Sequence, residues 1–110
     1  MQLSWDYNYS AAGAALGIDL LNNPDLVATD AAVSWKTALW YWMTQKGATA
    51  RTPHDAMINS VGFAETIRAI NGGIECNASG LGHTEMTNRV SFYTTFTGIL
   101  GVSTGGNLTC

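Results

Sequence analysis

The 110-residue chain carries 5 basic and 8 acidic side chains for a formal net charge of −3, and is 46% apolar and 12% charged. A chain of this length reads as one domain, near the lower edge of what buries a substantial core. With no polybasic run and a net negative charge it offers no handle for nucleic acid or an acidic membrane, and no apolar run reaches the roughly 18 residues that span a bilayer.

The chain opens on MQLSWDYNY, which lacks the basic residue and apolar stretch of a secretory signal. The expectation is a chain that starts after a removed leader or in mid-domain. Leu3, Trp5, Tyr7 and Tyr9 alternate with Gln2, Ser4, Asp6 and Asn8. That period of 2 predicts a short extended segment with one aromatic face and one hydrogen-bonding face. It fits either an edge segment with a solvated face or a wall for hydroxyl-rich ligands, which need directional donors beside flat apolar surface.

Ser10 to Leu16 predicts a short Ala-rich helix, N-capped by Ser10 and stopped by Gly17. Asn23-Pro24 starts a helical turn running to Ala28, with Asn23 as cap. Asp30 then caps DAAVSWKTALWYWMT, residues 30–44, which holds Trp35, Trp40 and Trp42. Val33, Thr37, Trp40 and Tyr41 form one helical stripe, and Trp35, Leu39, Trp42 and Met43 cover much of the rest. A helix apolar almost all round is a buried one, so this segment is the expected central core helix, ending before Gly47.

Thr52-Pro53-His54-Asp55 reads as a helix start, with Thr52 as N-cap, Pro53 at N1 and Asp55 at N3. A helix from Gly62 to Ile70 places Phe63, Ile67 and Ile70 on one face and is expected to end at Asn71-Gly72-Gly73, where glycine permits positive φ. After a loop over 77–82, the last long helix runs from Thr84 to Leu100 with Met86, Val90, Tyr93, Phe96 and Leu100 as its apolar stripe. Gly101 ends it, and a Gly-rich tail leads to Cys110. The fold class is therefore mainly α, in five or six helices with one extended piece at the start.

Cys76 and Cys110 are the chain's two cysteines. A thiol at the last position suits the stapling of a loose end, and closing this loop would stabilise by about 3–4 kcal/mol in the chain-entropy model. A disulfide implies an oxidising, extracellular compartment. His54 and His83 sit at helix starts without metal-ligand spacing, so neither metal nor cofactor is expected. Of the carboxylates, Asp30 and Asp55 serve as caps and Asp25 sits in a first turn, while Glu65 and Glu85 fall on exposed faces. Asp6 lies on the polar face of the aromatic segment. Arg89 projects among apolar neighbours, where a guanidinium needs an anionic partner, and an ion pair with Glu75 satisfies both. No pair of carboxylates stands out as the acid and base of a glycosidase.

QLSWDYNY, NPDLVATD, WKTALWYWMT, TPHDAM, INGGIEC and GVSTGGNLTC, taken in order over the whole chain, resemble the family 19 glycoside hydrolases, the chitinases of plants and actinobacteria. The short link between TPHDAM and GFAETIRAING resembles the compact bacterial and loop-deleted plant members. The resemblance implies cleavage of β-1,4 links between N-acetylglucosamine units with inversion, on a mainly helical, two-lobed, lysozyme-like fold. It also implies that both catalytic glutamates lie upstream of the QLSW segment. Residues 1–110 would then be the C-terminal half of a catalytic domain, an endo-acting chitinase in the whole, inactive without its N-terminal lobe.

By the same resemblance Ser4 would hold the attacking water. Gln2, Tyr7, Asn8, Ile70 and Asn71 would line sugar subsites, and Glu75 and Arg89 would form a buried charge network. Cys76 and Cys110 match the family's C-terminal disulfide. Asp6 stands where the family commonly has Asn, and Thr97 where many plant members carry a cysteine. Chitin or its oligosaccharides are the implied partner. A peptidoglycan-cleaving lysin-type hydrolase and a non-catalytic chitin-binding fragment are the alternatives that these residues leave open.

Overall fold

The computed structural model describes residues 3–77 and 82–110, and over these the chain is all helical. Six helices follow in order: α1 (Asp6–Leu16), α2 (Leu26–Thr29), α3 (Ala31–Thr44), α4 (Pro53–Ile58), α5 (Phe63–Glu75) and α6 (His83–Leu100). No strand occurs among the described residues. They fall into two compact units, Met1–Thr44 and Gln45–Cys110.

In the first unit the expected extended segment is replaced by helix from Asp6 onward. A lone extended piece has no strand to pair with, and buried N–H and C=O groups must find partners. Helix α1 supplies them within itself. Ser10, the expected cap, therefore lies inside α1, while Gly17 ends it in the left-handed conformation as the sequence suggests. The expected Asn23 cap is also absent, because its amide donates to the Asp19 carbonyl at 3.0 Å. Asp30 does cap α3, its Oδ1 accepting from the N–H groups of Ala32 and Val33 at 2.8 and 3.1 Å.

The core of this unit is Leu3, Ala12, Leu20 and Val33, flanked by half-buried Tyr9, Ile18, Leu26, Val27, Trp40 and Tyr41. Helix α3 thus turns its Val33–Thr37–Trp40–Tyr41 stripe inward, and the burial all round that the sequence suggested is not found. Trp35 is 73% exposed, Leu39 58% and Met43 48%. Within its unit, α3 has neighbours on one face, supplied by α1 and α2.

In the second unit, Thr52 caps α4 by accepting from Asp55 N–H at 3.0 Å, with Pro53 at the first turn. Ala64, Thr66, Ile67 and Ala69 of α5 are buried. The Phe63 ring stacks on Tyr93 of α6 with centroids 4.1 Å apart. The inward stripe of α6 is Met86, Val90, Tyr93 and Thr97, a spacing of four, three and four. Continuing it to Phe96 and Leu100 is corrected, since both lie more than half exposed. The third step, of four residues, carries the row to Thr97, whose hydroxyl donates to the Tyr93 and Thr94 carbonyls at 2.9 and 3.0 Å.

Helix α5 does not stop at Gly72-Gly73, and neither glycine takes positive φ. It kinks at Asn71 (φ −151°, ψ 33°) and runs on to Glu75. The continuation is held by the side chain of Glu75, which is nearly inaccessible. Arg89 of α6 grips it with two donors, Nε to Oε2 at 2.6 Å and Nη2 to Oε1 at 2.9 Å. Asn71 Nδ2 adds a third bond to Oε1 at 3.1 Å.

The tail is pinned at three places. Tyr93 donates its hydroxyl to Thr104 O at 3.0 Å. Ala64 N–H donates to Asn107 O at 2.8 Å, and Asn107 Nδ2 donates to Val61 O at 3.0 Å. Cys110 is disulfide-bonded to Cys76. Gly62 permits this approach: its φ is 117°, and a Cβ there would come within 2.6–2.8 Å of Gly106 and Asn107 atoms.

Three measurements follow from this framework. Arg89→Ala strips two of three donors from a buried carboxylate and should cost about 3 kcal/mol in urea unfolding. This sits at the low end for buried pairs because Arg89 itself is 41% exposed. Cys76→Ser should lose about 3–4 kcal/mol, given the 34-residue separation that the bridge closes. The third concerns Asp19, held below the ordinary aspartate range first by the Asn22 side-chain amide and then by its backbone N–H. A depressed folded value gives stability that is present above the unfolded value and lost as pH falls through the folded one. An NMR titration should show the Asp19 midpoint rise in Asn22→Ala.

Candidate functional site

The polar residues of the first unit cluster where the chain enters α1. Trp5 sits at φ 72°, ψ 138°, a conformation that a bulky non-glycine residue rarely adopts. It turns the chain so that the Trp5 carbonyl accepts from the N–H groups of Asn8 and Tyr9 at 3.1 and 3.3 Å. Asn8 is buried, and its amide donates to the Ser4 carbonyl at 2.8 Å. Tyr9 donates its hydroxyl to the Leu3 carbonyl at 3.3 Å. Two side chains from the first turns of α1 thus hold the backbone of Leu3 and Ser4 in place.

Ser4, Trp5 and Tyr7 lie outward, Trp5 and Tyr7 being among the most exposed aromatic side chains described. The Asp6 carboxylate accepts from Tyr7 N–H at 2.8 Å. Helical geometry rotates successive residues by about 100°, so Asp6, Tyr7, Asn8 and Tyr9 fan out instead of alternating. That is why Asn8, expected on an open polar face, points inward as an anchor. Gln2 lies outside the described residues. Behind this entry, an open depression of about 370 Å³ is lined by residues that include Tyr9, Ser10, Asp19 and Leu21.

Tyr41 of α3 is held above the ordinary tyrosine range by burial first and by Tyr7 second. Both effects disfavour a phenolate.

In the second unit Ile70 and Asn71 stand at the kink of α5, both half-buried. Asn71 has committed its amide nitrogen to Glu75. With three donors on its two oxygens, Glu75 is occupied as a structural carboxylate. The Asn71–Glu75 link was open to sequence reasoning, because residues four apart on a helix are neighbours. The Asn8–Ser4 anchor has the same spacing, but it was hidden by reading the segment as extended. The left-handed Trp5 has no sequence signal at all. Among the described residues no three His, Cys, Asp or Glu side chains converge as a metal-binding group. Nor is any helix long and apolar enough to cross a membrane.

Comparison with known proteins matches residues 1–110 to one family, chitinase class I. The chain is similar to endochitinase EP3 of Arabidopsis thaliana, at 47% identity over 110 residues that cover all of this chain and 36% of that protein. It is likewise similar to chitinase 2 of Oryza sativa subsp. japonica, 45% identical over 125 residues, covering 100% and 35%. Among solved structures, chitinase C from Streptomyces griseus HUT6037 superposes with a TM-score of 0.92 at 55% identity, over 99% of this chain and 51% of that one. A bacterial family 19 chitinase superposes with a TM-score of 0.90 at 60% identity, over 99% and 52%. The chain thus spans about half the length of the solved chains and little more than a third of the curated relatives. On full-length agreement in sequence and in fold, it belongs to glycoside hydrolase family 19, the chitinases.

Proposed function

We propose that these residues form the C-terminal half of a two-lobed, lysozyme-like domain that hydrolyses β-1,4 links of chitin with inversion. In this reading they supply one wall of the sugar groove and the serine that positions the attacking water. The observation that carries it is the α1 entry. The exposed Ser4 hydroxyl rides on a backbone carbonyl clamped by buried Asn8, which is how a water-holding group is kept still.

An inverting glycosidase needs an acid and a base about 6.5–9.5 Å apart, with room between them for water. Glu75 is bound up with Arg89 and Asn71, so it fills neither role here. The acid and base belong to the other half of the domain, and this chain contributes orientation and grip. Tyr7 offers an exposed ring on which a pyranose can stack. Ile70 and Asn71 offer an apolar contact and an amide oxygen at a kink whose shape the Glu75 network holds. Gln2 and Asn8 complete the set, Asn8 chiefly by holding Ser4. The Cys76–Cys110 bridge supports an extracellular setting, where such a polymer is met.

The test is calorimetric titration of the 110-residue chain with chitohexaose, run beside a reducing-end assay. Binding without turnover is expected, weakened about tenfold, or about 1.4 kcal/mol, in Tyr7→Ala and in Asn71→Ala. Turnover by this chain alone would overturn the division of labour. Affinity for peptidoglycan fragments in place of chitohexaose would overturn the substrate.

A further inference from the structure

Asn71 is followed by Gly72, and no other asparagine in the chain has glycine after it. That dipeptide carries a reaction of its own. The backbone nitrogen of the second residue can attack the side-chain amide carbon of the first. The path is least obstructed when the second residue lacks a Cβ and its main chain is free to bend. A regular helix opposes the attack by fixing the main chain, but Asn71 has already left the helical well (φ −151°, ψ 33°). Gly72 and Gly73 follow directly, and the space beside Gly73 is open.

What stands against the reaction is one hydrogen bond. Asn71 Nδ2 donates to Glu75 Oε1 at 3.1 Å, which turns the amide forward along α5 and away from its own following peptide. Glu75 is fixed in turn, buried and gripped by Arg89 on both oxygens at 2.6 and 2.9 Å. Ring closure requires the Asn71 amide to swing back toward the Gly72 nitrogen. That motion breaks its bond to Glu75 and leaves a buried carboxylate oxygen short of a donor, a costly state.

We propose that Asn71 is a site of spontaneous deamidation, latched in the native fold by Glu75, whose modification irreversibly releases the last turn of α5. The Gly72 nitrogen loses its proton as it bonds to Asn71 Cγ. The Cγ–Nδ2 bond breaks, and Nδ2 departs as ammonia with that proton. Water then opens the cyclic imide at either carbonyl, giving aspartate or isoaspartate at position 71. One water is consumed and one ammonia released, with no oxidant or reductant.

The product reverses the local electrostatics. A donor to Glu75 is replaced by a second carboxylate one helical turn away, where like charges repel, and both compete for the Arg89 guanidinium. Isoaspartate also inserts an extra carbon into the main chain at the kink. The inference rests on that kink and on the Glu75 network, and it stands apart from the chitin reading.

The 110-residue chain would be incubated at neutral pH beside an end-blocked peptide of residues 70–75, INGGIE. Both would be sampled by peptide mapping with mass spectrometry and by an isoaspartate assay. The peptide reports the unlatched rate. The folded chain should convert at Asn71 about tenfold more slowly or slower still, because the bond to be broken first is to a charged acceptor. Glu75→Ala should recover most of that factor while keeping its helical circular dichroism. Should it fail to fold, Glu75→Gln, which keeps an acceptor but gives up the charge, should fall between wild type and peptide. Ile67→Ala opens a cavity elsewhere on the buried face of α5 and lowers stability without touching the latch, so its rate should stay near wild type. Gly72→Ala should suppress conversion at Asn71. A wild-type rate equal to the peptide's overturns the latch, as does a Glu75 variant no faster than wild type. An Ile67→Ala rate matching Glu75→Ala overturns it too, because global unfolding then suffices. Conversion that begins at another asparagine, or that Gly72→Ala leaves unslowed, overturns the site.

Discussion

A carboxylate with almost no access to water governs the second unit. Glu75 cannot be left bare in an apolar setting, because an unpaired buried charge is among the costliest features a small fold can carry. Its needs are met from both directions along the chain, by Asn71 one helical turn earlier and by Arg89 from the next helix. Those bonds carry α5 past two glycines that would otherwise end it, and they tie α5 to α6. The neighbouring residue, Cys76, then fastens the tail. One electrostatic requirement thus sets the kink, the helix pair and the position of the C-terminus.

The first unit is organised by weaker and more local means. Asp30 satisfies the free N–H groups at the start of α3. A modest core of Leu3, Ala12, Leu20 and Val33 gathers α1 and α3. The chain enters α1 through a strained Trp5 and is held there by Asn8 and Tyr9. Strain of this kind survives only where its surroundings over-determine it. Here it coincides with the exposed Ser4, Trp5 and Tyr7.

Both units share a division between an inward face that stabilises and an outward face that serves something else. Within each unit a polar group is fixed by a partner behind it, Ser4 through Asn8 in the first and Asn71 through Glu75 in the second. The large apolar side chains on the outer faces of α3 and α6 have no such inward partners.

The sequence by itself determined what depends on neighbours a few residues away. The Asp30 and Thr52 caps, the left-handed Gly17 and the family likeness were all legible, because caps and helix ends follow from local spacing. The Glu75–Arg89 pairing was legible for a different reason, that a buried guanidinium demands a carboxylate. Tertiary structure alone decided which faces are covered. The alternating segment turned helical from Asp6 onward because no second strand exists among the described residues to pair with it. Burial of Trp35 and Phe96 depends on what packs beside them, which a one-dimensional pattern of apolar residues does not specify. Helix α5 outlasted its glycines because a side chain fourteen residues further on holds its end, and a contact of that range outweighs local propensity.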